Sequence, residues 1–374
     1  MIKKYKVRTK LKSLVGKAAK DLAWIKSRIQ KYINSYKKPR IKLVAIAKNE
    51  ACYLPEWIFH HLHFGFDSID IYVNNTSDNT LKIAKKLEGN SSIMFHDGDA
   101  FFKPEIDVPQ VEIYKYELNL SKSQGFTHVM FLDIDEFWTP LDLSVSIQDY
   151  IKKFTADIIC FEWVNRTNEP SPFLPALNRV ITGIKGNHIK SLVGTHVLVE
   201  GVNPHNVLAY KASYQLADGS KFVVKPSDFA KVDYEQIKKP IKDAVIIHRM
   251  YRSQEEYVAL LARGRPIQNR QFADVIKTNR NGYSPKYISA KLFFNIEKLE
   301  KYNLFKKDFF IEYELEIELE EAKKFIDEKK NEMILFVENA PKEYWPILKR
   351  VFQRINIKEV KDSLLEFKSK NKIK

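Results

Sequence analysis

Residues 41–50 read IKLVAIAKNE and residues 128–137 read HVMFLDIDEF. In both, a short aliphatic and aromatic run breaks abruptly into acids and amides. An apolar run of this length, bounded by polar residues, fits a strand buried on both faces better than an amphipathic helix. Ile41–Ala47 is therefore read as a first strand and His128–Asp133 as a fourth. Between them Tyr53–Phe64 is expected to be a helix with Leu54, Trp57, Ile58, His61 and Leu62 inward, stopped by Gly65. Ser68–Val73 reads as a second strand, Thr80–Leu87 as a second helix, Ile93–Phe95 as a short third strand and Val111–Lys122 as a third helix. Alternation of this kind builds an α/β fold, a mostly parallel sheet with helices on both faces.

Downstream the pattern predicts a helix over Val145–Phe154, a strand over Asp157–Trp163, and a loop-rich stretch to about residue 240. A strand over Ala244–His248 and a helix over Gln254–Ala262 follow. Beyond residue 285 the chain reads as helical and highly charged, with an acidic stretch, Glu312–Glu321, before a basic amphipathic end, Trp345–Lys374. Three units are expected: a basic N-terminal helix over 1–40, an α/β domain over 41–265, and a helical C-terminal region over 266–374.

The net charge of +15 is concentrated at one end. Residues 1–40 hold fourteen Lys and Arg against Asp21 alone, a surplus of thirteen that leaves the body near neutral at +2. Within this segment Leu11, Leu14, Val15, Ala18, Leu22, Ile25, Ile29, Tyr32, Ile33 and Tyr36 recur at helical steps between lysines. Such a helix can lie on an anionic bilayer or dock on the body with its charges solvated. Lys38-Pro39 closes the segment. No apolar run reaches the ~20 residues of a membrane span, and the basic N-terminus lacks the apolar core of a signal peptide. A cytoplasmic protein, peripheral on the inner membrane face if the helix binds lipid, is the expectation. Cys52 and Cys160 both lie in apolar surroundings, so free thiols in a reducing compartment are expected rather than a zinc cluster.

In open parallel sheets, ligands bind beyond the carboxyl ends of the strands. The first four strands end in Lys48-Asn49-Glu50, Asn74-Asn75-Thr76-Ser77-Asp78, His96-Asp97-Gly98-Asp99 and Asp133-Ile134-Asp135-Glu136. All four deliver acids and amides to one rim. If strand geometry persists through residue 135, the Asp133 and Asp135 carboxylates point the same way. Two like charges at the lip of an apolar strand cost folding energy unless a cation compensates them. Hard oxygen ligands favour Mg²⁺ or Mn²⁺, which bridge to substrate phosphates.

These residues carry a resemblance. Lys48-Asn49-Glu50, Leu54-Pro55-Glu56-Trp57 and Asn74-Asn75-x-Ser77-Asp78 look like the start of family 2-like and family 92-like glycosyltransferases, whose pattern is an N-E pair, an E-W on the first helix and an N-x-S-x-D loop. Phe131-Leu132-Asp133-Ile134-Asp135-Glu136-Phe137 resembles their D-x-D-E-F signature. Lys190-Ser191-Leu192-Val193, His205, Ile247–Ser253 and Arg263-Gly264 resemble later landmarks, although His-Tyr usually stands where this chain has His248-Arg249. The likeness covers roughly residues 41–265. It implies a Rossmann-like GT-A fold and divalent-metal-dependent transfer, with inversion, from a nucleotide-sugar donor to a glycan or lipid-linked acceptor, as in lipopolysaccharide or capsule assembly. Carried over by position, Lys48, Asn49 and Glu50 would lie near base and ribose, and Asn75, Asp78 and Asp97 would shape the nucleotide pocket. Asp135 would be the main metal ligand, with Asp133 on metal or ribose and His248 as third ligand.

Inverting transfer needs a general base. Glu169 is the first candidate, with Glu162 and Asp218 behind it. Lys190, Arg179 or Lys211 could steady the leaving diphosphate, and Trp138 and Trp163 could stack on sugar rings or serve as core. Two rival classes remain open. A haloacid-dehalogenase-type phosphatase also places D-x-D after an apolar strand, but on the first strand of its domain, and with Thr or Val where Phe137 stands. A nucleic-acid-binding protein could use the basic arm, yet convergent carboxylates would repel a phosphate backbone, so nucleic acid is not an expected partner.

Overall fold

The computed structural model describes residues 2–103, 105–263 and 275–373, with side chains from residue 15 onward. Gly264 therefore lies outside the described residues, as do the side chains of Leu11 and Leu14.

A long helix α1 (Ile2–Ser35) precedes β1 (Ile41–Ala47), α2 (Leu54–His63), β2 (Ser68–Val73), α3 (Thr80–Leu87), β3 (Ile93–Asp97), α4 (Pro109–Ser123) and β4 (His128–Phe131). Then come β5 (Glu136–Pro140), α5 (Ile147–Ile151), β6 (Ile158–Arg166), β7 (Val180–Gly194), β8 (Val199–Val202), β9 (Val207–Ala209), β10 (Tyr214–Leu216), α6 (Tyr234–Lys238), β11 (Ala244–His248) and α7 (Gln254–Leu261). The chain ends with β12 (Ala290–Phe293), α8 (Ile296–Glu312), α9 (Glu316–Asn339), α10 (Trp345–Val351) and α11 (Lys358–Lys370).

The main sheet runs in the order β3-β2-β1-β4-β7-β6-β11-β5, with β10 beside β6 and β12 beside β7. Its first four strands are parallel. From β1 the chain moves outward to β2 and β3, then returns through α4 to β4 on the other side of β1. The β1/β4 boundary is thus a topological switch point, where the connections leave a crevice at the carboxyl edge.

Alternation along the strands explains both faces. Leu43, Ala45, Ile69, Ile71, Met130 and Leu132 pack with Trp57 and Ile58 of α2 and Ile83 and Leu87 of α3. Val44, Tyr72, Val129 and Phe131 meet Ile113, Tyr114 and Leu118 of α4. Each fully buried aliphatic or aromatic side chain contributes about 1.5–3 kcal/mol. A third core joins α7, α9, α10 and α11 through Tyr257, Met333, Val337, Leu348 and Phe367. The region after residue 265 also supplies a strand: β12 pairs antiparallel with β7.

Two regions depart from the sequence reading. The stretch expected to be loop-rich contains β7, 15 residues long, and the β8–β9 hairpin. The apolar pattern of β7 is broken by buried lysines, whose ammonium groups are matched by acids on other strands: Lys185 pairs with Glu162 of β6 at 2.8 Å and Lys190 with Glu136 of β5 at 2.8 Å. The second is β5, the Phe137-Trp138 segment, which pairs antiparallel with β11. The helix expected over 145–154 is confined to Ile147–Ile151, capped by Ser146.

Helix α1 lies against the body through its polar side. Arg28 and Lys31 reach the buried Asp157 at 2.6 and 2.7 Å, Lys20 pairs with Glu200, and Asp21 receives Lys211 and the Tyr210 hydroxyl. Part of the basicity of this segment is therefore spent on tertiary contacts. No described helix is long and apolar enough to cross a membrane. Cys52 and Cys160 are free, and burial pushes the Cys52 thiol up to about 12.

Candidate functional site

The carboxyl ends of β1 and β4 open onto one cleft, lined by Lys48, Glu50, Asn74, Asp107, Gln110, Asp133, Asp135, His248, Arg263, Lys277 and Arg280, with Ile46, Phe102, Val108 and Ile134 as its apolar wall. Asp133 and Asp135 both face it, but not by strand alternation. Strand β4 ends at Phe131, and Asp133–Glu136 closes as a turn. Glu136 N donates to Asp133 O at 3.0 Å while the Glu136 carboxylate accepts from Asp133 N at 2.9 Å. This reciprocal pair of bonds, rather than the two-residue strand period, aims the acids.

The two acids have different surroundings. Asp133 accepts from Gln110 Nε2 at 3.2 Å and from Lys190 Nζ at 3.4 Å. The same ammonium binds Glu136 at 2.8 Å and the Pro204 carbonyl at 2.9 Å. Burial works against the charge on Lys190, but Asp133 and Glu136 outweigh it and keep it firmly protonated. Burial pushes the Glu136 carboxyl up to about 7 despite that partner. Asp135 faces His248, Oδ2 to Nε2 at 3.5 Å. Burial disfavours its charge too, yet His248 first, then Arg252 and Arg280, hold it well below the usual carboxylate range.

His248 closes β11 beside β6, and its Nδ1 lies 2.9 Å from Asn165 Oδ1. With Nδ1–H donating to that amide oxygen, Nε2 is the ring nitrogen turned toward the Asp135 carboxylate. A carboxylate oxygen and an amide-oriented ring nitrogen 3.5 Å apart are spaced for a divalent cation to take both as ligands. The donor set of Asp135, His248 and Asp133, two hard oxygens and an imidazole, fits Mn²⁺ or Mg²⁺.

Opposite the acids stand four cations. Burial and the neighbouring Arg263 lower the Lys48 ammonium, while burial, Arg263 and Arg280 lower Lys277 well below the ordinary lysine range. Arg280 is lowered by burial as well. Cations held close enough to discharge one another form a preorganised anion site. Glu50 fixes one of them, bonding Arg263 and, at 3.4 Å, Arg252, whose guanidinium lies 3.3 Å above the Tyr53 ring.

Of the residues singled out in the sequence, Lys48, Glu50, Asp133, Asp135 and His248 line the cleft, and Lys190 reaches it through Asp133. Asn49, Asn75, Asp78 and Asp97 build its rim instead. Asn49 and Asn75 sit in the left-handed region (φ 53° and 42°), which asparagine tolerates. The Asn49 side chain accepts from Ser77 N at 2.7 Å, Asp78 from Ala51 N at 2.8 Å, and Asp97 from Asp99 N at 2.8 Å. The first two bonds tie the loop after β1 to the loop after β2, and the third closes the turn after β3.

Glu169 does not join the cleft. It is buried between Arg249 and Arg166 and lines a separate pocket with Tyr283 and Arg354. A carboxylate held by two guanidiniums is a poor proton acceptor. Glu162 is paired with Lys185, and Asp218 caps an exposed turn through Ser220. Lys211 is engaged by Asp21 on α1, and Arg179 is exposed. Trp138 is fully buried core, whereas Trp163 packs its ring 4.4 Å from His248 and 5.1 Å from His205. Burial pushes His205 down to about 2.

Sequence reasoning missed Gln110, Lys277 and Arg280. The last two belong to Lys277-Thr278-Asn279-Arg280-Asn281-Gly282, a short basic and amide-rich run ending in a glycine at φ +90°. Such a run is a phosphate-facing signal, though one without a strand before it to draw the eye.

A second polar cluster, Asp70, His96 and Glu117, has its ligand atoms within 4.8 Å of one another. Its centre is already served by Lys42 Nζ, 3.0 Å from Asp70 and 3.3 Å from Glu117, with the Tyr72 hydroxyl donating to Glu117 at 2.6 Å.

No protein-family model matches the chain, and no curated protein matches it. Among solved structures it is similar to S. aureus TarS 1–349 in complex with UDP, at 16% identity over 35% of this chain and 38% of that chain, TM-score 0.26. It is similar to S. aureus TarS at 16% identity over 35% and 23%, TM-score 0.26, and to TarS 1–349 at 15% over 42% and 47%, TM-score 0.25. The matched region spans less than half of each of those chains.

Proposed function

We propose that the chain is a glycosyltransferase that binds a nucleotide-sugar donor in the β1/β4 cleft and passes the sugar to a hydroxyl of a glycan or lipid-linked acceptor. One observation carries this reading. At the switch point of a parallel sheet, mutually repelling cations share one cleft with two aspartates and a histidine. That pairing suits a diphosphate and a divalent cation bound together. A phosphate site alone has no use for the acids, and a bare metal site has none for the cations.

In the reaction the acceptor O–H breaks, a C–O bond forms at the anomeric carbon, and the donor's C–O bond to diphosphate breaks. The leaving group gains negative charge. Lys48, Arg263, Lys277 and Arg280 are placed to stabilise it without reorganising, which is electrostatic preorganisation. Mn²⁺ or Mg²⁺ held by Asp135, His248 and Asp133 would supply Lewis-acid neutralisation of the same oxygens. Gln110 and Lys190 hold the Asp133 carboxylate in its facing position, and the Asn165 amide holds the imidazole tautomer. The pattern of D-x-D-E-F residues favours inversion at the anomeric carbon.

The test is a panel of nucleotide sugars scored by thermal shift with Mn²⁺ and with EDTA, followed by donor hydrolysis. One donor should raise the unfolding temperature of the wild type in Mn²⁺ but neither in EDTA nor in Asp135→Ala. Protection by generic phosphomonoesters accompanied by phosphate release would replace this reading with a phosphatase.

A further inference from the structure

The N-terminal helix is fastened to the body by one side and shows the other to its surroundings. At 3.6 residues per turn, Val15, Leu22, Ile25, Ile29, Tyr32 and Ile33 fall within an arc of about 100°. All six are 44–64% exposed. Lys20 and Lys31 point the opposite way, into Glu200 and Asp157, while Asp21 and Arg28 reach Lys211 and Asp157 from the flank. The usual arrangement is reversed, since a helix docked on a soluble body normally buries its apolar stripe. Here ion pairs do the docking and the stripe is left uncovered.

Charge tells what covers it. Lys26 is exposed along one margin of the stripe, and Lys17 and, just past the helix end, Lys37 are exposed as well, in a segment whose basic surplus is thirteen. A second copy of the chain packed stripe to stripe would bring two such segments together. A nucleic acid would find apolar groups where it needs donors. An anionic bilayer matches both features, with the stripe in the headgroup boundary and the lysines on the phosphates. We infer that α1 is a rigidly mounted membrane-surface element that seats the protein on anionic lipid through Val15–Ile33. At about 1.5 Å per residue the helix is ~50 Å long, enough for a sustained contact. The body side of α1 meets the β8–β9 hairpin at Glu200 and Tyr210, and the turn of that hairpin places the Pro204 carbonyl on Lys190. The lipid-facing helix and the cleft thus share a short structural connection. This inference stands independently of the sugar-transfer reading.

The experiment is vesicle flotation of the full chain with phosphatidylcholine alone and with phosphatidylcholine plus phosphatidylglycerol, at low and high salt, alongside light scattering without lipid. The wild type should float only with the anionic vesicles and lose binding as salt rises. Leu22→Glu with Ile29→Glu should weaken binding at least ~10-fold, while circular dichroism and melting stay unchanged because both side chains are exposed. Lys26→Glu with Lys37→Glu should weaken it less and flatten the salt dependence. Absence of flotation, or flotation undiminished in the Leu22→Glu/Ile29→Glu variant, would overturn the proposal. So would a lipid-free dimer that this variant converts to monomer.

Discussion

Two charge clusters on the same sheet differ in one respect. Lys42, Asp70 and Glu117 lie beneath β1, β2 and α4, with one ammonium centred between two carboxylates and the Tyr72 hydroxyl completing the set. A few residues further along β1, the cleft holds Lys48, Arg263, Lys277 and Arg280 with Asp133, Asp135 and His248, and there the cations lower one another. Both clusters combine lysine with paired carboxylates. The first is closed and balanced, as a structural ion pair must be in a buried setting. The second is open and unbalanced, which is the condition of a site built for something else to complete. Residue type marks where charge gathers; satisfaction decides what the gathering is for.

Four variants or conditions probe this contrast. Asp135→Ala should do the greatest damage to function, lowering donor turnover by ~10⁴, about 5 kcal/mol, in a steady-state assay with Mn²⁺. Its far-UV circular dichroism should stay that of the wild type, because the side chain lines the cleft and belongs to no hydrophobic core. Lys42→Met should do the reverse. Leaving Asp70 and Glu117 without their cation costs about 3–5 kcal/mol in urea unfolding, whereas donor affinity measured on the folded fraction should be unchanged.

Acid offers a probe of the fold through two buried histidines that do not line the cleft. His60, bonded to the Trp138 carbonyl at 2.8 Å and the Tyr302 hydroxyl at 3.0 Å, is pushed down to about 3 by burial, as is His128. Both are neutral in the fold, and the unfolded chain takes up protons near the ordinary histidine value of about 6.5. Between those limits the unfolded state binds more protons, so stability present above pH ~6.5 should fall as pH drops toward ~3, by a few kcal/mol. Urea midpoints at pH 7 and pH 5 check this, and His60→Gln should flatten the slope. The smallest effect belongs to Lys277→Ala, which should weaken nucleoside-diphosphate binding ~10-fold, about 1.4 kcal/mol, in calorimetry. It should leave the empty protein equally or more stable.

The first half of the chain was legible because period and punctuation agreed. Short apolar runs closed by Lys48-Asn49-Glu50 or Asn74-Asn75 announced both the strands and the edge where they end. Asp133, Asp135, His248, Lys48 and Glu50 were all recoverable from that edge. What failed were inferences that depended on distant partners. Strand β7 hid because Lys185 and Lys190 interrupt its apolar pattern, and only Glu162 and Glu136 on other strands make their burial tolerable. Glu169 looked like a free acid until Arg166 and Arg249 arrived from either side. Strand alternation carried past Asp133 to Asp135 fails because Glu136 closes Asp133–Glu136 into a turn through its side chain and its backbone. Lys277 and Arg280 were invisible because nothing local says that residues so far beyond β4 return to its end. The basic α1 was recognised as amphipathic, but which of its sides meets the body is a property of Asp157 and Glu200, not of α1.

The central claim is that one cleft takes a diphosphate and a divalent cation together. A crystal grown with Mn²⁺ and a nucleoside diphosphate, with data collected at the manganese edge, addresses it directly. The account predicts an anomalous peak at Asp135 and His248 and the diphosphate oxygens against Arg263, Lys277 and Arg280. Manganese absent from that edge, or a nucleotide bound elsewhere with Asp135 still facing His248, would contradict it.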